Sequence, residues 1–344
     1  MKLKKPKINS ILLLSAIVIF VIVVSFIKSS YLVLVVNMAM LNAMMAYGLS
    51  IVLGMGGQMV FSGVAFMGIG SYITANLRSG RLGFYVDSTL TIILSVLAAS
   101  LIAFLTGLLF LRLKNVFCTF ATLGFVQVMW SLFSNYQPAF GGPYGITNIE
   151  SIDVFGKRIM EYKEWFYIIF FFMLIVAFIV ERIRNSSLGR SLASIRDNEL
   201  AAQTLGVNIY RTRIIAFVIA GAFAGLSGSL YAMQTRFVSG DVFALSKSSM
   251  IIVMTMLGGV NNTVGVFVGS MLATVLPELL RNSEQYLMII FGTLVILLMI
   301  FMPMGIGGLV VDYIRKQRQR QRVLTEKKAV VKKEISNGTD SETN

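Results

Sequence analysis

Apolar runs close to the ~20 residues that a helix needs to cross a bilayer recur along nearly the whole chain. A bilayer interior offers no water to unpaired backbone groups, so such runs are compatible only with helices whose hydrogen bonds are satisfied internally. Charged residues make up 13% of the 344, against about 25% in an ordinary soluble domain. The expected fold is an all-α membrane protein.

A hydropathy reading gives ten transmembrane segments, at residues 9–27, 31–53, 60–77, 89–111, 116–134, 165–180, 214–233, 250–257, 264–280 and 287–302. The first is longer than the 7–15 residues of a signal-peptide core and no A-x-A site follows it, so it reads as a retained span. An even number of crossings puts both termini on one side. Twenty-one of the 30 Lys and Arg residues then share that side: Lys2, Lys4, Lys5 and Lys7, Arg112 and Lys114, six around residues 181–213, and nine in the tail. The positive-inside rule makes that side the cytoplasm. The division is a basic N-terminus at 1–8, a membrane domain at 9–309, and a basic tail at 310–344 that starts as a lipid-contacting helix and frays into disorder. The Asn337–Gly338–Thr339 sequon falls in the cytoplasm and should stay unmodified. A net charge of +14 placed beside spans serves orientation and anionic lipid, not nucleic acid.

Two glycine-rich stretches interrupt the apolar pattern, Gly54-Met55-Gly56-Gly57-Gln58 and Gly258-Gly259-Val260-Asn261-Asn262-Thr263. Broken segments in both halves of a membrane protein mark a solute path in transporters; the plainer reading is a tight hairpin turn. Gly221, Gly225 and Gly228, like Gly265 and Gly269, have the small-residue spacing that lets helices approach closely in lipid. Ionisable groups are nearly absent from the spans, Glu278 being the chief exception. Carriers driven by protons or ions need such groups at depth, so the chain does not read as self-powered.

Catalytic and metal chemistry lacks its residues. There is no histidine and a single cysteine, Cys118, which leaves neither metal sets nor histidine acid–base pairs. No phosphate-cradling G-x-x-x-x-G-K-[ST] and no G-x-S-x-G occur. The expectation is a transport subunit with no cofactor, no metal and no ATP site of its own.

One stretch breaks the apolar character. Residues 191–208, SLASIRDNELAAQTLGVN, form a polar, helix-competent island between membrane segments. Ser194 is suited to an N-cap with Asp197 as its capping-box partner, and Gly206 to the stop, giving a helix over about 194–206. On that helix Ile195, Ala202 and Leu205 share one side, and Arg196, Glu199 and Gln203 another. Such a helix can enter a partner's groove or lie flat on lipid.

These residues carry a resemblance. Glu199-Leu200-Ala201-Ala202, with Gly206 four residues on, is similar to the E-A-A…G loop of ABC importer permeases, and Ile195-Arg196-Asp197-Asn198-Glu199-Leu200-Ala201-Ala202 resembles the branched-chain amino acid permeases of the LivM type. Residues 54–77 resemble that family's G-x-x-G-Q…G-x-G-A-Y block, with Phe61-Ser62 shifting the polar position and Ser71 in place of alanine before Tyr72. Gly141-Gly142-Pro143-Tyr144-Gly145 resembles its external T-G-G-x-x-G, with Phe140 in place of threonine. The likeness runs from about Leu41 to Leu309 in matching order.

The resemblance implies about ten helices with a cytoplasmic coupling helix in a bacterial cell membrane. It implies a second homologous permease subunit, two cytoplasmic ATPase subunits and an extracytoplasmic solute-binding protein as partners, with leucine, isoleucine and valine as solutes. Coupling falls to Arg196, Asp197, Glu199, Ala201, Ala202 and Gly206. Docking of the binding protein falls to Gly141, Gly142, Tyr144 and Gly145. The polar residues Asn42, Gln58, Thr122 and Gln127 stand as solute-path candidates, interhelical hydrogen bonding being their alternative role. Alternative solutes are urea, a nucleoside or another small amide, and a rival from another class is a stand-alone channel or facilitator.

Overall fold

The computed structural model describes residues 20–279 and 292–293, apart from 82, 84, 114, 155 and 156. Most of the first expected span, the whole of the tenth apart from residues 292–293, and both basic termini lie outside the described residues. The described chain is predominantly helical. Its membrane-length helices are α1 (Ser30–Leu49, continued by a π-helical end at Ser50–Met55), α3 (Ser88–Phe110), α4 (Asn115–Asn135), α5 (Tyr162–Arg184) and α8 (Ile209–Thr235). Shorter ones are α2 (Gly63–Arg78), α9 (Leu245–Gly258) and α10 (Thr263–Leu279). Two short helices, α6 (Ser187–Asp197) and α7 (Glu199–Thr204), occupy the polar island, and a two-residue strand pair joins Asp153–Val154 to Lys157–Arg158.

Burial sorts the bundle into a centre and an edge. The apolar windows of α1 and α8 are 78% and 67% buried, whereas those of α3, α4 and α5 are 28%, 22% and 28% buried. The first two are hydrophobic on all sides because they pack on all sides, which is the mark of an interior helix. The other three turn Leu97, Leu101, Phe117 and Phe171 outward.

Small residues let α8 sit this deep. A Cβ on Gly225 would collide with the Ala99 side chain of α3, and one on Gly228 with the Met67 carbonyl of α2. Apolar burial gives no drive between helices in lipid, so this approach is held by van der Waals packing and hydrogen bonds. Ser71 donates to the Gly228 carbonyl at 2.9 Å, and Thr74 joins Ser95 at 2.8 Å and Ser229 at 2.7 Å, tying α2, α3 and α8 through buried hydroxyls.

Each expected span within the described residues has its helix, and the differences lie at the ends. The segment expected at 250–257 is the inner part of α9, which begins at Leu245 and so takes Lys247 into this shorter apolar helix. Arg78, expected just outside its span, ends α2 and is buried. It donates to the Val86 carbonyl at 2.9 Å and to Asp153 at 3.1 Å, and to the Ser151 carbonyl. A buried guanidinium needs every donor used, so it gathers the loop before α3 and the 146–159 segment into one cap at that end of the bundle.

Candidate functional site: the polar island and the two glycine breaks

The island is two helices, not one. Ser186 caps α6 by accepting from the Gly189 amide at 3.4 Å, so Ser194 is interior to α6 and donates to the Ser191 carbonyl at 2.8 Å. The expected Ser194–Asp197 capping box does not form. Asn198, with extended backbone, ends α6 and starts α7, and its side chain accepts from the Ala201 amide at 3.0 Å. Gly206 does close α7 as expected. Its φ is +80°, its amide bonds to the Gln203 carbonyl at 3.0 Å and the Val207 amide to the Ala202 carbonyl at 3.1 Å. That paired pattern is a Schellman stop.

Splitting the helix redistributes its faces. Ile195 and Ala202 are buried against the bundle, but Leu205 is 81% exposed and Leu200 76% exposed. The expected apolar side of Ile195, Ala202 and Leu205 is therefore divided: two residues anchor inward, and Leu205 joins Leu200 on the outward surface. Glu199 is exposed at the water-facing edge and also paired. It receives Arg213 of α8 in a two-pronged pair at 3.0 and 3.2 Å, which fixes α7 to the start of the central helix.

Arg196 is the residue that joins the island to the membrane helices. It holds the Asp197 carboxylate at 3.1 Å and donates to the Gly54 carbonyl at 2.7 Å, 142 residues away. Gly54 lies in the π-helical end of α1, in the first glycine break. The second break meets it there. Asn261, with its amide nitrogen turned toward that carbonyl, donates to Gly54 at 2.9 Å and accepts from Arg196 at 3.0 Å. The backbones touch as well, since a Cβ on Gly54 would collide with the Val260 carbonyl. Gly57, at φ +67°, leaves room that the Arg196 side chain fills. The two interruptions, far apart in sequence, thus form a single junction gripped by one arginine of the island.

A second tie runs beside it. Arg184, at the end of α5, donates to Glu181 at 2.8 Å and to the Thr263 hydroxyl at 2.7 Å, and Thr263 also donates to Glu181 at 3.0 Å. Thr263 opens α10, whose first turn is capped by Asn262 accepting from Val264 at 3.0 Å and Gly265 at 3.2 Å. Two sets of contacts therefore join the α5–α6 corner to the α9–α10 hairpin.

The solute-path candidates do not share one place. Asn42 donates to Thr274 at 3.2 Å, joining α1 to α10. Thr122 accepts from the Phe61 amide at 3.2 Å and donates to the Thr119 carbonyl at 2.8 Å. Gln58 is buried with neither amide atom partnered. Gln127 faces outward on α4. Asn42 has the interhelical role set out as its alternative, while Thr122 ties α4 to the non-helical segment before α2.

At the opposite end of the bundle the 141–145 loop is a rigid knob. Gly141, Gly142 and Gly145 have φ of +77°, +59° and +65°, and Ile146 and Val238 exchange backbone hydrogen bonds at 2.8 and 3.0 Å. Tyr144 projects from it, 82% exposed. The knob borders a depression of about 380 Å³ lined also by Arg81, Gln137 and Asn148.

Sequence reasoning missed Arg78, Arg213, Asn261 and Lys247. The first and last were hidden by trimming spans at their polar ends. The middle two act through partners distant in sequence, and the only local signal is the glycine break that contains Asn261.

Known proteins place the chain. It is 29% identical over 319 residues to the high-affinity branched-chain amino acid transport system permease protein LivM of Salmonella typhimurium, covering 86% of this chain and 74% of that protein. The LivM of Escherichia coli is 28% identical with the same coverage, and a probable LivM of Methanocaldococcus jannaschii is 25% identical over 62% of this chain and 68% of its own. No solved structure matches the chain. The family described as branched-chain amino acid transport system / permease component matches residues 31–303, and the chain belongs to it.

Proposed function

We propose that the chain is the permease subunit of an ABC importer that moves branched-chain amino acids across a bacterial cell membrane, powered by two separate ATPase subunits and fed by an extracytoplasmic binding protein. The observation that carries the reading is the island's double character. Outward, Leu200 and Leu205 present an apolar surface that water does not favour and that no described residue covers. Inward, Arg196 grips both glycine breaks. A segment with a docking face on one side and a mechanical link on the other is what a motor-driven permease needs, and a facilitator has no use for it.

The orientation is that expected from charge: ten spans, with the island, both termini and the two breaks cytoplasmic, and the Gly141–Tyr144 knob outside. When the ATPase pair closes, α6 and α7 follow it. Arg196 transmits the displacement to the Gly54–Asn261 junction, from which α1, α2, α9 and α10 extend. π-helical turns and glycine breaks are places where a helix end reorients without losing its full hydrogen-bond ladder, so the junction serves as the hinge of alternating access. Solute passes between this subunit and the homologous second permease. The exposed face of α4, where Gln127 and Ser131 sit among Phe120 and Val128, suits that boundary better than the outer face of α3, where Leu97, Leu101, Phe104 and Leu105 are exposed.

The test is uptake of radiolabelled leucine by proteoliposomes holding the full complex, with ATP inside and binding protein outside. The reading expects uptake that needs both ATP and binding protein. ATP-independent equilibration would contradict it.

A further inference from the structure

Within the transport function just proposed, on which this inference rests, the outer half of the bundle contains a cation that packing alone does not explain. Lys247 is the third residue of α9 and its ammonium stands 5.9 Å from the centre of the Tyr231 ring on α8. Among the described residues no carboxylate pairs with it at 4.0 Å or less. A lysine within a membrane segment costs roughly 2.5–3.5 kcal/mol even on permissive scales, and such residues mark substrate or ion pathways by default.

Its surroundings share the pattern. Gln234, one turn beyond Tyr231 on the same helix, is 4% exposed and neither atom of its amide has a partner. The Tyr72 hydroxyl is likewise buried and unpartnered. Native proteins satisfy nearly all such groups, so orphaned donors and acceptors on α8 and α2, together with an unpaired cation over an α8 ring, point to a polar guest. Tyr231 is backed by a closed aromatic cluster, the Phe243 ring lying 6.4 Å from it and 5.9 Å from Tyr72, with both Phe243 and Tyr72 buried.

We propose that Lys247, backed by Tyr231, receives the α-carboxylate of the incoming amino acid in the outer half of the permease, with Gln234 as a further polar contact. The chemistry matches a guest that carries a carboxylate. Urea and nucleosides present no such anion.

The experiment is charge replacement in the full importer. Lys247→Cys is made in a Cys118→Ala background, reconstituted with its partners, and assayed for leucine uptake before and after treatment with aminoethyl, sulfonatoethyl or methyl thiosulfonate reagents. Uptake should fall at least tenfold in the cysteine variant, recover to at least half on aminoethylation, which restores an ammonium, and recover with neither other reagent. Lys247→Arg should stay within about threefold of the parent, a second variant that needs no chemistry. Uptake by Lys247→Cys within twofold of the parent, or equal recovery with the methyl reagent, overturns the subsite and leaves the importer reading standing. Failure of the parent itself to import leucine, isoleucine or valine overturns both.

Discussion

An arginine that gives one guanidinium edge to Asp197 and another to the Gly54 carbonyl has little freedom left, and its replacement should be felt at both ends. Hydrogen bonds to a charged group contribute about 1.5–3 kcal/mol, and here the accepting carbonyl belongs to a π-helical end that has few alternatives. Arg196→Ala should leave insertion intact while loosening the junction, seen as faster hydrogen exchange across residues 50–58 and 258–263 and no change in α3. Gly206→Val tests a different physics. The Gly206 site has open space for a Cβ, so the cost comes only from holding a β-branched residue at φ +80°, about 1 kcal/mol or more, read as fraying of α7. The residues of the island were legible because the motif is local and its chemistry is written in eight consecutive letters. Their partners were not. Gly54 and Asn261 stand out in the sequence only as parts of the glycine breaks and Arg213 only as one basic residue among several; that the fold brings all three to the island is written in none of their neighbourhoods. Arg196 and Glu199 both remain exposed to water, and both also spend charge on partners within the chain that the local sequence does not reveal.

At the scale of elements, the membrane helices were readable because about twenty apolar residues in a row admit few other structures. What hydropathy could not supply was where helices break. Asn198 and Ser194 are equally good caps by residue type; the choice falls to Asn198 because Ser186 starts α6 earlier and Ile195 is needed as a buried anchor. The break gives the island its outward leucines. Leu200→Asp with Leu205→Asp should therefore abolish co-purification of the ATPase subunits while leaving the permease pair assembled; retention of the ATPases would move the docking face elsewhere. The knob at the other end behaves as an element in its own right. Three glycines at positive φ hold Tyr144 outward, so Tyr144→Ala should weaken docking of the loaded binding protein about tenfold without altering thermal stability. Arg78→Ala, which leaves the Val86 and Ser151 carbonyls without their donor and Asp153 with Arg158 alone, should lower stability by about 2–3 kcal/mol and disorder the loop before α3, read by proteolysis at residues 80–86.

For the whole molecule, the two ends of the bundle are joined by a compact centre of α1 and α8, so motion at the junction is available to the helices that bear Lys247 and Tyr231. Topology is the first requirement. A cysteine replacing Asn198 in a Cys118→Ala background should react with an impermeant thiol reagent only in inside-out vesicles; labelling of intact cells would invert the account. The central claim is that the island converts ATPase closure into movement of the spans through Arg196. It is tested most directly by the ATPase activity of the reconstituted complex with Arg196→Ala, with and without leucine-loaded binding protein. The account predicts an assembled complex that retains the parent's unstimulated hydrolysis, loses stimulation by loaded binding protein at least fivefold, and loses leucine uptake in proportion. Stimulation and uptake within twofold of the parent would contradict it.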